Sequence, residues 1–103
     1  MSRFRALRVY QEAEGVAARV DELGLDDLSP GNVVIQASYS CINYKDAIAV
    51  TGTGRVVRRY PLVPGIDVAG RIVHSDDERY KEGERVLVTG YGLGEHHDGG
   101  YSE

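Results

Sequence analysis

The sequence runs to 103 residues, the size of one modest domain, and a chain this short buries only ~60–65 % of its unfolded surface on folding. Apolar residues at 42 % and charged residues at 27 % match ordinary globular domains and exclude a collagen, a disordered tail and a disulfide miniprotein. A net charge of −4 with no basic face, no apolar run near the ~20 residues of a membrane helix and no signal-peptide stretch after Met1 predict a protein of the cytoplasm, partnered by neither nucleic acid nor membrane.

Residues 3–10 alternate polar and apolar side chains, and residues 16–23 repeat the pattern after a turn at Gly15, so the two predict an opening hairpin. Pro30-Gly31 is a turn signal, and the β-branched, apolar run 32–42 that follows predicts a central strand delivering Asn43 to its end. Residues 45–51 carry Ala47, Ile48 and Val50 among good helix formers, with Gly52 where a C-cap belongs, which predicts one short helix. Pro61 and Pro64 bracket a stiff extended loop, and Gly65 lets the chain turn. Residues 67–74 and 85–89 predict two further strands around a polar hairpin-like segment, 75–84, and 90–100 is glycine-dense loop. The sum is a mainly β fold, a small β-barrel or sandwich with one short helix and no internal repeat. Gly99-Gly100-Tyr101-Ser102-Glu103 reads as a glycine turn opening another strand. The chain is therefore expected to be part of a longer one.

Several groups of residues carry chemistry on one reading and structure on another. Gly90-Tyr91-Gly92-Leu93-Gly94 lacks a third glycine at the offset a nucleotide fingerprint needs and a helix opening behind it. His96-His97, beside Glu95 and Asp98, has no second cluster to complete four metal ligands and is expected to be a solvated loop. Cys41, the single cysteine, excludes an internal disulfide; late in an apolar strand it is expected to be buried filler rather than a nucleophile. Arg55, Arg58 and Arg59 form a basic cluster that either meets phosphate groups or is simply solvated. Asn43-Tyr44-Lys45-Asp46 lies at a strand-to-helix junction, where side chains converge on clefts. Equally, it is a plain helix start, with Asn43 as cap and Asp46 facing the macrodipole.

Asn43-Tyr44-Lys45-Asp46-Ala47, Thr51-Gly52, Pro64-Gly65-Ile66-Asp67-Val68-Ala69-Gly70, Gly83-Glu84-Arg85-Val86 and Gly99-Gly100-Tyr101 together resemble the start of the medium-chain dehydrogenase/reductase superfamily, in order and spacing over nearly the whole chain. The first of these and Thr89-Gly90-Tyr91-Gly92-Leu93-Gly94-Glu95 resemble its zinc-free branch of quinone oxidoreductases and acrylyl-CoA reductases. The resemblance implies the N-terminal part, residues 1–103, of a GroES-like catalytic domain built on a small β-barrel. The NADPH-binding Rossmann domain would lie beyond Glu103. In zinc alcohol dehydrogenases a cysteine ligand stands three residues before the aspartate matching Asp46 and a histidine follows the glycine matching Gly65; here those positions are Asn43 and Ile66. No metal is therefore expected.

The implied reaction is reduction of an activated C=C bond or a quinone, with an acyl-CoA thioester or quinone as small-molecule substrate and a homodimer as a compatible assembly. It needs hydride delivery, hydrogen bonds to the carbonyl as charge develops, and a proton donor or solvent. Catalysis is expected of Asn43 and Tyr44, cofactor contact of Asn43, Tyr44 and Asp46, and substrate contact of Tyr91 and of Arg55, the latter from the basic cluster. Some zinc-free relatives carry a tyrosine five residues past the asparagine, where this chain has Ile48, so that acid does not transfer. A GroES-like binding or assembly module without chemistry is the rival reading, and a glycine-rich strand-to-helix turn downstream would discriminate against it.

Overall fold

A computed structural model describes residues 3–54 and 56–103, in which the strands form two sheets. Strands β1 (Phe4–Glu12) and β2 (Gly15–Leu23) make the expected hairpin, antiparallel from Phe4 opposite Leu23 to Glu12 opposite Gly15. On its other edge β1 receives two later segments: Val9 N–H donates to Leu62 O at 2.8 Å, and Leu7 N–H donates to Tyr101 O at 2.9 Å. The strand expected to open at Tyr101 is thus the segment that bridges Ser102 to Ala6.

The Pro61 to Pro64 stretch, expected as a stiff loop, is part of the core. In extended backbone successive side chains point to opposite sides, and here Leu62 enters a cluster with Val9, Ala49, Val56 and Val57 while Val63 enters another with Ala6 and Leu23. Both are 0 % exposed. One short segment therefore ties two apolar clusters together. Leu62→Ala should destabilise the protein by about 2–5 kcal/mol, the range for emptying a buried leucine site, as read by denaturant unfolding.

The second sheet holds β3 (Val33–Ser40), β4 (Asp67–Ser75) and β5 (Arg85–Thr89) in the order β3-β4-β5, all antiparallel. The strand expected to be central, β3, lies at the edge of this sheet, and its register shifts at Val34/Ile35 and at Ala37/Tyr39. β-branched composition favours a pleated surface without distinguishing edge from centre. The centre is β4, whose Val68 and Ile72 are buried. At Gly70 a Cβ would stand 2.1 Å from Gln36 O, so the close approach of β3 to β4 requires glycine there.

Helix α1 (Tyr44–Thr51) follows β3 and is closed by Gly52, left-handed at φ 72°, whose N–H donates to Ile48 O at 2.8 Å. Ile48 packs against the Leu62 cluster, so this helix position serves the core. Mainly β architecture with one short α-helix is what the sequence pattern predicted. None of the described helices is long and apolar enough to cross a membrane.

Candidate active site at the helix start

β3 ends at Ser40, and Asn43 stands just before α1 in extended backbone, φ −118° and ψ 164°. The helix cap is not the one expected. The Asn43 side chain makes no capping bond; instead Asp46 Oδ2 accepts Asn43 N–H at 2.9 Å, and the Asp46 and Ala47 N–H groups donate to the Asn43 backbone oxygen at 3.0 and 3.2 Å. Asp46 is 2 % exposed, and its Oδ1 accepts Ile66 N–H at 3.0 Å across the fold. A buried carboxylate is tolerable only when hydrogen-bonded. Here three N–H groups and the positive end of α1 meet its charge.

The same geometry fastens Asn43. Its Nδ2 donates to Asp46 Oδ2 at 3.3 Å and to Asp67 Oδ2 at 3.0 Å. Asp67 opens β4, so the two sheet strands and the helix meet at this amide. Behind it, the Tyr101 hydroxyl donates to Cys41 O at 2.7 Å. Burial first, then the negative charge of Asp46, pushes the Tyr101 hydroxyl up to about 12. A folded-state value raised above the ordinary 10.0 of a tyrosine gives stability that is complete below pH 10 and lost as pH rises toward 12. Tyr101→Phe should show a shallower loss than the parent between those values in melts taken across alkaline pH.

Tyr44 and Tyr91 reach solvent, 83 % and 95 % exposed. Tyr44 is the first residue of α1, and Tyr91 sits in the glycine-dense loop at φ 58°. That loop approaches the helix start through Lys45 Nζ, 3.7 Å from Glu95 Oε2. It is held from below by Asp98, whose Oδ1 accepts Val63 N–H at 2.8 Å and whose Oδ2 accepts Ser29 N–H at 2.7 Å. The Arg59 guanidinium donates to Ser29 Oγ and His96 O, which makes it a loop fastener. Arg58 is exposed; Arg55 lies outside the described residues. His97 faces the carbonyls of Asp98 and Pro30, and no group of three or more potential metal ligands converges among the described residues.

Cys41, expected to be buried, is exposed, because the register shift in β3 and the turn into α1 end strand alternation before it. Asp46, expected to contact the cofactor, is 2 % exposed and is bonded to the N–H groups of Asn43 and Ile66. Asp67 and Tyr101 were not singled out by sequence reasoning. The signal was a lone acid between Gly65-Ile66 and an apolar strand, 24 residues from the amide it holds.

Two acids thus accept from one amide, and the next residue along the chain carries an exposed phenol. Residues 29–103 match the model of the alcohol dehydrogenase GroES-like domain. The chain belongs to that family. It is 47 % identical over 102 residues to acrylyl-CoA reductase AcuI of Ruegeria pomeroyi, covering 97 % of this chain and 31 % of that protein. YhfP of Bacillus subtilis, named provisionally as a quinone oxidoreductase, is 45 % identical over 100 residues, covering 97 % and 30 %; its structure with NAD bound superposes with a TM-score of 0.91. The yhdH oxidoreductase of Salmonella enterica, in complex with NADP, superposes with a TM-score of 0.92 at 42 % identity over 96 % of this chain and 31 % of that one. The chain thus spans about a third of the length of the relatives it matches, and corresponds to the N-terminal portion of medium-chain oxidoreductases.

Proposed function

We propose that this chain is the N-terminal part of the catalytic domain of an NADPH-dependent, zinc-free reductase acting on an activated C=C bond, with acrylyl-CoA or a related enoyl thioester as substrate and a quinone as the alternative. The observation that carries the reading is 47 % identity with an acrylyl-CoA reductase along 97 % of the chain. Asn43 and Ile66, where zinc relatives place ligands, offer an amide and an aliphatic side chain, neither of which holds Zn²⁺ in a tetrahedral site.

The residues present suit one end of the cofactor. Asn43 and Tyr44 offer neutral polar groups for a nicotinamide and a carbonyl. For a pyrophosphate the chain offers little: the Gly90 to Gly94 turns lead into no helix, and the N-terminus of α1 is filled by Asp46. When bound, NADPH supplies the hydride. The chain's own groups do the positioning: Tyr44 O–H donates to the carbonyl oxygen as charge grows on it, Asn43 orients the reacting groups, and Asp46 fixes Asn43. Tyr91 offers a ring face to the substrate, and Arg55, assigned from sequence alone, offers a cation to the phosphates of the coenzyme A moiety.

NADPH consumption by the full-length protein tests this with acrylyl-CoA and with a simple quinone as separate substrates. Turnover with acrylyl-CoA at a kcat/KM well above that with quinone is expected. Consumption of NADPH with neither would overturn the reading.

A further inference from the structure

The grip on Asn43 has a polarity. An ionised carboxylate accepts hydrogen bonds and donates none, and a primary amide carries both of its donors on nitrogen. With Asp46 Oδ2 and Asp67 Oδ2 at 3.3 and 3.0 Å from one atom, that atom is the nitrogen, and both of its N–H bonds are engaged. Turning the amide over would aim its oxygen at two negative groups. Asp46 is not free to follow such a turn, since it is also bound by the N–H groups of Asn43 and Ile66. The Asp46 N–H that would cap onto Asn43 Oδ1 donates instead to the Asn43 backbone oxygen at 3.0 Å, so an acceptor is what this side chain has left for a ligand.

We propose that Asp67 is a positioning residue which, with Asp46, locks Asn43 so that its Oδ1 accepts an N–H from the carboxamide of the bound nicotinamide. The inference rests on the NADPH reading above and refines it. The two ligands of the reaction differ in what they bring. The reacting ends of a quinone and of an enoyl thioester are carbonyl acceptors, which an acceptor cannot hold, whereas the nicotinamide carboxamide carries an NH₂ group. Donation to the substrate carbonyl then falls to Tyr44, the next residue, whose side chain is open to solvent.

The test is binding, measured by titration calorimetry on the full-length protein with NADPH and with its reduced 3-acetylpyridine analogue. The analogue keeps the carbonyl of the carboxamide and replaces NH₂ by methyl. The parent protein should bind the analogue roughly three- to tenfold more weakly, the scale of one neutral hydrogen bond. Asn43→Ala should bind the two alike, and Asp67→Asn, which keeps the shape and removes one charge, should reduce the preference. The comparison of the two compounds on the parent protein needs no variant, so it decides the matter even where Asn43→Ala fails to fold. Equal affinities in the parent, or a preference that survives in Asn43→Ala, would overturn the locked-acceptor inference while leaving NADPH binding intact. A preference unchanged in Asp67→Asn would overturn the role of Asp67. Absence of binding by either compound would overturn the NADPH reading itself.

Discussion

Asn43→Ala, made in the full-length protein, should lower kcat roughly ten- to a hundredfold, the penalty for letting reacting groups shift by about an ångström. Its melting temperature should fall by only a few degrees. The reason lies in how the helix starts: the cap comes from the Asp46 carboxylate and the Asn43 backbone, both of which an alanine retains. A side-chain cap would instead show a stability loss of about 1 kcal/mol with turnover nearly intact. Steady-state kinetics with NADPH and acrylyl-CoA, paired with a melt of the same variant, separates the two. Wild-type kcat in Asn43→Ala would contradict the positioning role.

Asp46→Ala should do more damage, and of a different kind. It strips the partners from Asn43 N–H and Ile66 N–H, and each partly buried donor left without an acceptor costs about 1–3 kcal/mol. A total loss of about 2–6 kcal/mol is expected, together with a fall in kcat at least as large as that of Asn43→Ala, because the amide loses one of its two anchors. Denaturant unfolding and kinetics on one preparation check both. Asp46→Ala with full stability and reduced turnover would assign Asp46 a direct ligand contact instead.

The contrast between these two residues shows what the linear sequence could reveal. Local rules reached the hairpin, the helix and its glycine cap, since each depends on residues a few positions apart: Gly52 terminates α1 for the steric reason that makes glycine common there. They could not separate an edge strand from a central one, because β3 and β4 are alike in β-branched content and differ in what flanks them. Nor could they show that the Leu62-Val63 segment is core. Two prolines mark stiffness, and whether a stiff segment lies inside or outside depends on the β1 edge it pairs with, about 50 residues earlier.

At the site the same division holds. Asn43 and Tyr44 were visible as a polar knot at a strand-to-helix junction, but local sequence left open whether Asn43 caps or presents itself to a ligand. The answer depends on Asp67 and on Ile66 N–H, which reach the helix start only after the chain has folded back. Tyr101 arrives from further still, its hydroxyl donating to Cys41 O. None of these partners has a spacing rule, so folding alone makes the site.

The central claim is metal-independent reduction organised by a locked amide, and it is tested most directly by NADPH oxidation with acrylyl-CoA after dialysis of the full-length protein against a strong chelator. The account predicts turnover unchanged by the dialysis and unaltered by added zinc, since Asn43 and Ile66 offer no ligand to the ion. Activity abolished by the chelator and restored by stoichiometric zinc would contradict it.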